Sequence, residues 1–253
     1  MTSQSRSVAF VGNSITQESI DPTIIGHDLD AAVDVFAADS SHLNTWTWIV
    51  RSAFWNRGKH PDVLVVTFHA TSLEDDSKLE IGRLAQFFTT WTDWSELFET
   101  LPSLDDRVEF AVSSRWATFA VRDRIKERVL DIVPGYKPWV RFEKKVPTKT
   151  STKLRAQAPT YRVLTHFLEL AKDNNTRVIF VAFPTKSPDG SPAYDIPTEA
   201  DAEIRGAGMT LLDLRRMPGL DVDKDYADDI HLNEHGREIY SRLLSSELHR
   251  LGV

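Results

Sequence analysis

The chain has 253 residues, with 30 Lys and Arg against 37 Asp and Glu, a net charge of −7 and no cysteine. Acidity of this kind argues against nucleic acid as a partner, and the lack of thiols excludes a disulfide scaffold, a thiolate metal site and a cysteine nucleophile. No apolar run approaches the ~20 residues that cross a bilayer, so no membrane insertion is expected.

Polar residues 1–6 lead directly into an apolar run over Ser7–Val11. That leaves no room for a signal peptide, and a cytoplasmic protein is expected. Further short β-branched runs follow at Val33–Ala37, Val63–Phe68, Arg177–Phe183 and Thr210–Leu214. Each is almost continuously apolar, the pattern of strands covered on both faces of a parallel sheet. Helical patterns alternate with them at about His42–Asn56, Arg115–Val133, Pro159–Asn174, Thr198–Ala207 and Glu234–Leu251. In the third of these, Val163, Phe167, Leu168, Leu170 and Ala171 form one apolar stripe. Strands alternating with helices predict a three-layer α/β/α sandwich around a mostly parallel five-stranded sheet of the flavodoxin-like kind. The alternation breaks at about 72–158, which holds four of the seven tryptophans and no convincing strand. A single domain over 1–253 with a helical, cap-like insertion is the expected organisation.

Two places carry chemistry. The first strand ends in Val11-Gly12-Asn13-Ser14-Ile15. A serine just past the carboxyl end of a strand, opening a helix, stands where open α/β sheets bind their ligands. The plain alternative is a glycine turn with Ser14 capping the helix. Near the other end, Asp228 and His231 lie three apart on a turn before the last amphipathic helix. That spacing can hold a carboxylate against one imidazole nitrogen while the other faces a nucleophile, and histidine suits proton transfer near neutral pH. Asp229 and Asn233 read as ordinary loop and helix-cap residues.

Together the two ends resemble the SGNH (GDSL-like) hydrolase and acyltransferase superfamily. Gly12-Asn13-Ser14-Ile15 is similar to its Gly-Asp-Ser-Leu block and Asp228-x-x-His231 to its final Asp-x-x-His block. Ser19-Ile20-Asp21-Pro22 and His231-Leu232-Asn233-x-x-Gly236 resemble the alginate acetyltransferase and DltD-like branch. The resemblance implies Ser14 as nucleophile, His231 as general base and Asp228 as its orienting carboxylate. A serine hydroxyl needs a base to take its proton, and the base needs a partner to fix its tautomer. The family's oxyanion-hole glycine and asparagine have no counterpart here. The matching loop is Ala38-Asp39-Ser40-Ser41, and Phe68-His69-Ala70-Thr71-Ser72 follows the third strand. Asn13, the N–H of Ser40 or Ser41, and the side chains of His69 or Thr71 are the candidate oxyanion and substrate contacts.

Rival motifs fall short. His231-x-x-Glu234-His235 copies an inverted zinc-protease motif, but Asn233 is a natural cap that starts the helix after His231. Asp221-x-Asp223-x-Asp225 copies the start of a calcium loop, but Tyr226 stands where glycine is required. No Walker loop or dinucleotide fingerprint occurs, so neither a metal nor a cofactor is expected. Between Tyr136 and Arg155, seven cations face one glutamate. Within it, Lys137, Arg141, Lys144, Lys145 and Lys149 form a strip that would suit an anionic partner, such as coenzyme A or an acyl carrier. The expected function is a serine-dependent acyl-group enzyme, an ester or thioester hydrolase or an O-acyltransferase. The alternative is a non-catalytic module of the same fold that recognises an anionic or acyl-bearing partner.

Overall fold

The structure, a computed structural model, describes residues 6–75, 81–89, 93–101, 103–116, 159–187 and 191–253. The chain divides into two compact units, residues 1–79 with 160–253, and residues 80–159. The basic strip Lys137, Arg141, Lys144, Lys145 and Lys149 lies outside the described residues, as does most of the helix expected at Arg115–Val133.

In the larger unit, β1 (Arg6–Gly12) is followed by α1 (Ser14–Ser19), α2 (Pro22–Leu29) and β2 (Ala31–Ala37). Then come α3 (Leu43–Ala53) and β3 (Val63–Phe68). The smaller unit contributes α4 (Ile81–Arg83), α5 (Trp94–Thr100) and α6 (Leu104–Ser113). The larger unit resumes with α7 (Arg162–Asp173), β4 (Val178–Ala182), α8 (Thr198–Gly206), β5 (Thr210–Asp213) and α9 (Glu234–Arg250). All five strands are parallel in the order β2-β1-β3-β4-β5.

Helices cover both faces of the sheet. Val8, Phe10, Val65, Ile179 and Val181 point to one face, where they pack with Ile25 and Leu29 of α2 and Tyr240, Leu244 and Leu248 of α9. The alternate residues point to the other. There Phe180 meets Phe167 of α7 at 6.0 Å between ring centroids, and Phe167 meets Trp55 at 5.6 Å. Strands buried on both faces account for the continuous apolar runs in the sequence. The helix α2 is absent from the sequence expectations, although its start carries both usual signals. Asp21 is the N-cap, accepting from Thr23 N–H, and Pro22 occupies the first helical position.

The smaller unit is held by an aromatic triangle. Trp94, Phe98 and Phe110 pack edge to face with centroids 5.6–6.0 Å apart. A capping box between Ser103 and Asp106 starts α6. Among the described residues this unit holds helices and no strand.

Candidate active site

The order 2-1-3-4-5 reverses between β1 and β3, and the carboxyl ends of these neighbours are where such sheets place ligands. Ser14 lies two residues past β1. Asn13, not Ser14, caps α1: its Oδ1 accepts the N–H of Ile15 at 3.1 Å. The Ser14 hydroxyl is thereby left for other work. Gly12 is explained by a close approach rather than by a turn conformation. A Cβ there would sit 1.9 Å from Thr16 Oγ1 and 3.0 Å from the Thr67 carbonyl oxygen.

The segment carrying Asp228 and His231 is a short closed loop. Tyr226 and Leu232 form an antiparallel bridge, and Ala227 N–H donates to the His231 carbonyl at 2.8 Å. Its base is clamped by Asp225, a residue only 1% exposed. Asp225 Oδ2 accepts the Asp221 N–H, Oδ1 pairs with His235 Nδ1, each at 2.6 Å, and its carbonyl accepts the Asn233 N–H at 2.9 Å. Asn233 in turn caps α9 by accepting from Gly236 N–H. In the sequence Asp225 stands in the failed calcium motif and His235 in the failed zinc motif. His235 is exposed, but it pairs with a buried carboxylate ten residues away. Among the described residues no group of three or more His, Cys, Asp or Glu is placed to hold a metal.

Ser14 Oγ lies 3.0 Å from His231 Nε2, and His231 Nδ1 lies 2.8 Å from Asp228 Oδ2. The second carboxylate oxygen of Asp228 accepts the N–H groups of Ile230 and His231 at 2.8 and 2.7 Å. The hydrogen bond from His231, then these two N–H groups, push the Asp228 carboxyl from its ordinary 3.8 down to about 2. An ionised carboxylate only accepts, so Nδ1 carries the imidazole proton. Nε2 is then an acceptor, and the Ser14 hydroxyl donates to it.

The remaining candidates are distributed around this line. Ser40 has φ +55°, a left-handed conformation, and its N–H has no acceptor among the described residues. Ser41 is committed elsewhere. Its N–H and hydroxyl both donate to the Ala38 carbonyl, and its oxygen accepts from the buried Trp46 indole at 2.7 Å. Thr71 is exposed on the 3₁₀ turn Ala70–Leu73. His69, one residue past β3, is half-buried, and its Nδ1 is shut off from water without a partner. His42, ahead of α3, shares both properties. Burial first, then the charges of His42 and His231, hold the His69 imidazole pKa below its ordinary value. His42 and Tyr194 beside His69 are absent from the sequence-based site, because no motif surrounds either.

No protein-family model matches the chain, and no curated protein matches it. Among solved structures it is similar to a lipase/acylhydrolase from Enterococcus faecalis, at 14% identity and a TM-score of 0.46 over 96% of this chain and 95% of that one. It is similar to a GDSL-like lipase from Bacteroides thetaiotaomicron, at 10% identity and a TM-score of 0.43 over 96% and 88%. It is also similar to the C-terminal catalytic domain of a peptidoglycan O-acetyltransferase from Streptococcus pneumoniae, at 12% identity and a TM-score of 0.42 over 97% and 92%.

Proposed function

We propose that the chain is a serine-dependent acyl-group enzyme acting on a small ester or thioester. The observation that carries this reading is the line Asp228–His231–Ser14, joined at 2.8 and 3.0 Å by residues from opposite ends of the chain. The motif resemblance to the SGNH superfamily and its alginate acetyltransferase and DltD-like branch supports it.

In the proposed reaction, Ser14 Oγ attacks the substrate carbonyl carbon while its proton passes to His231 Nε2. The imidazolium so formed is stabilised by the Asp228 carboxylate, which stays ionised. The carbonyl oxygen becomes an oxyanion facing the N–H groups of Ser14 and Ser40 and the ring of His69. The tetrahedral adduct then expels an alcohol or thiol, which takes the proton from His231 and leaves an acyl group on Ser14. Water or an acceptor hydroxyl attacks that ester by the same proton path, giving hydrolysis or O-acyl transfer. Transfer from coenzyme A or an acyl carrier would draw on the basic strip of the sequence, and neutralising Lys144, Lys145 and Lys149 together tests that part.

The lack of a counterpart to the asparagine of the SGNH superfamily is the feature that favours the non-catalytic alternative. A fluorophosphonate probe separates the two. The enzyme reading expects labelling of the wild type that vanishes in Ser14→Ala. A folded wild type with no labelling, and no turnover of p-nitrophenyl or thioester substrates, makes the chain a binding module.

A further inference from the structure

A neutral imidazole carries one proton on two nitrogens. In His69 the Nδ1 is buried with nothing to accept from it. A buried N–H without an acceptor is costlier than a lone pair without a donor, so the proton sits on Nε2. A donor of this kind is useful only if the ring cannot turn. Against the His69 ring lies that of Tyr194, 5.7 Å away at 75°, edge to face. Tyr194 is fixed at both ends. Its hydroxyl donates to the Phe183 carbonyl at 2.9 Å, and its own carbonyl accepts from Arg215 Nη1 at 2.5 Å. The Arg215 guanidinium also stands 5.6 Å from the Tyr194 ring centroid. Arg215 is in turn locked to Asp213, the last residue of β5, by Nε and Nη2 at 2.9 and 2.8 Å from the two carboxylate oxygens. The guanidinium fork makes this pair directional, and the Arg215 side chain is only 15% exposed.

We propose that Tyr194 is a positioning residue for His69, braced by the Asp213–Arg215 pair, so that His69 presents a fixed Nε2–H toward the oxyanion. The proposal rests on the role of His69 in the function proposed above. It links the ends of β3, β4 and β5 in one line of contacts that ends at the reacting centre. Burial keeps the Tyr194 hydroxyl protonated well beyond its ordinary range, so it remains a donor to Phe183.

The test combines an NMR titration of the His69 ring, assigned against His69→Gln, with the rate of fluorophosphonate labelling at Ser14. In the wild type the His69 midpoint lies below the ordinary value of about 6.5. Tyr194→Leu opens Nδ1 to water, raises that midpoint toward the ordinary value and slows labelling roughly 10- to 100-fold. Tyr194→Phe keeps the ring and the Arg215 anchor but loses the donor to Phe183, so its midpoint stays closer to the wild-type value than that of Tyr194→Leu. Arg215→Gln frees Tyr194 and shifts both readouts in the same direction, and it serves if Tyr194→Leu does not fold. An unmoved His69 midpoint in folded Tyr194→Leu, or in Arg215→Gln where Tyr194→Leu does not fold, overturns the proposal. A raised midpoint with undiminished labelling overturns its catalytic half. A wild type that is never labelled refutes the serine reading, while the midpoints still decide on Tyr194.

Discussion

Gly236→Ala sets helix propensity against packing. Gly236 lies in the first turn of α9 without a left-handed φ, so propensity alone favours alanine by about 1 kcal/mol. The structure opposes it. A Cβ at this position would stand 2.1 Å from the Asp225 carbonyl oxygen, whereas ordinary contact begins near 3.4 Å. The obstacle is backbone, so rotating a side chain gives no relief, and Asp225 must retreat by more than 1 Å. Overpacking of this kind costs about 1–3 kcal/mol, and the Asn233-to-Asp225 hydrogen bond adds roughly 1 kcal/mol when it breaks. The net expectation is a loss of about 1–3 kcal/mol, seen as a fall of roughly 3–10 °C in Tm. Because Asp225 immediately precedes the bridge that carries Asp228 and His231, a displacement near 1 Å should also lower kcat about 100-fold. Thermal melting and ester turnover, measured below the variant's transition, check both. A variant at least as stable as the wild type with unchanged kcat would refute the reasoning.

Asp228→Asn puts an amide where the carboxylate held the His231 tautomer. It should lower kcat by up to about 10⁴ with little change in Tm, since the Asp228 side chain is 55% exposed. Carboxyl NMR should place the Asp228 midpoint near 2, with the stabilising contribution present above 3.8 and lost as pH falls through about 2. In His231→Ala that midpoint should climb toward 3.8, because the largest cause of the shift is gone, and a midpoint that stays low contradicts the assignment. Ser40→Gly should raise Tm slightly, by relieving about 1 kcal/mol at φ +55°, whereas Ser40→Val should lower it.

The strands were legible because a parallel sheet covered on both faces demands near-continuous apolar runs. Val63–Phe68 is a strand over the expected residues, and the other four differ by one or two residues at an end. Helix α2 escaped because its eight residues show too few apolar repeats, although Asp21 and Pro22 announced its start. Ser14, His231 and Asp228 were legible as motifs, since their spacing to neighbours is local. What escaped arises from contacts between distant segments. The commitment of Ser41 to Ala38 and Trp46 depends on a turn geometry, and the packing of Tyr194 against His69 joins a residue just past β3 to one in the loop between β4 and α8. The pairing of Asp225 with His235 likewise needs the loop to close before the two side chains meet.

The central claim is that the Ser14 hydroxyl becomes the site of a covalent acyl group. Mass spectrometry of protein quenched during turnover of an activated ester or thioester tests this most directly. The acyl mass is expected on the peptide containing Ser14, accumulating in the wild type and missing from His231→Ala. Acyl mass on another residue, or turnover with an unmodified Ser14 peptide throughout, would contradict it.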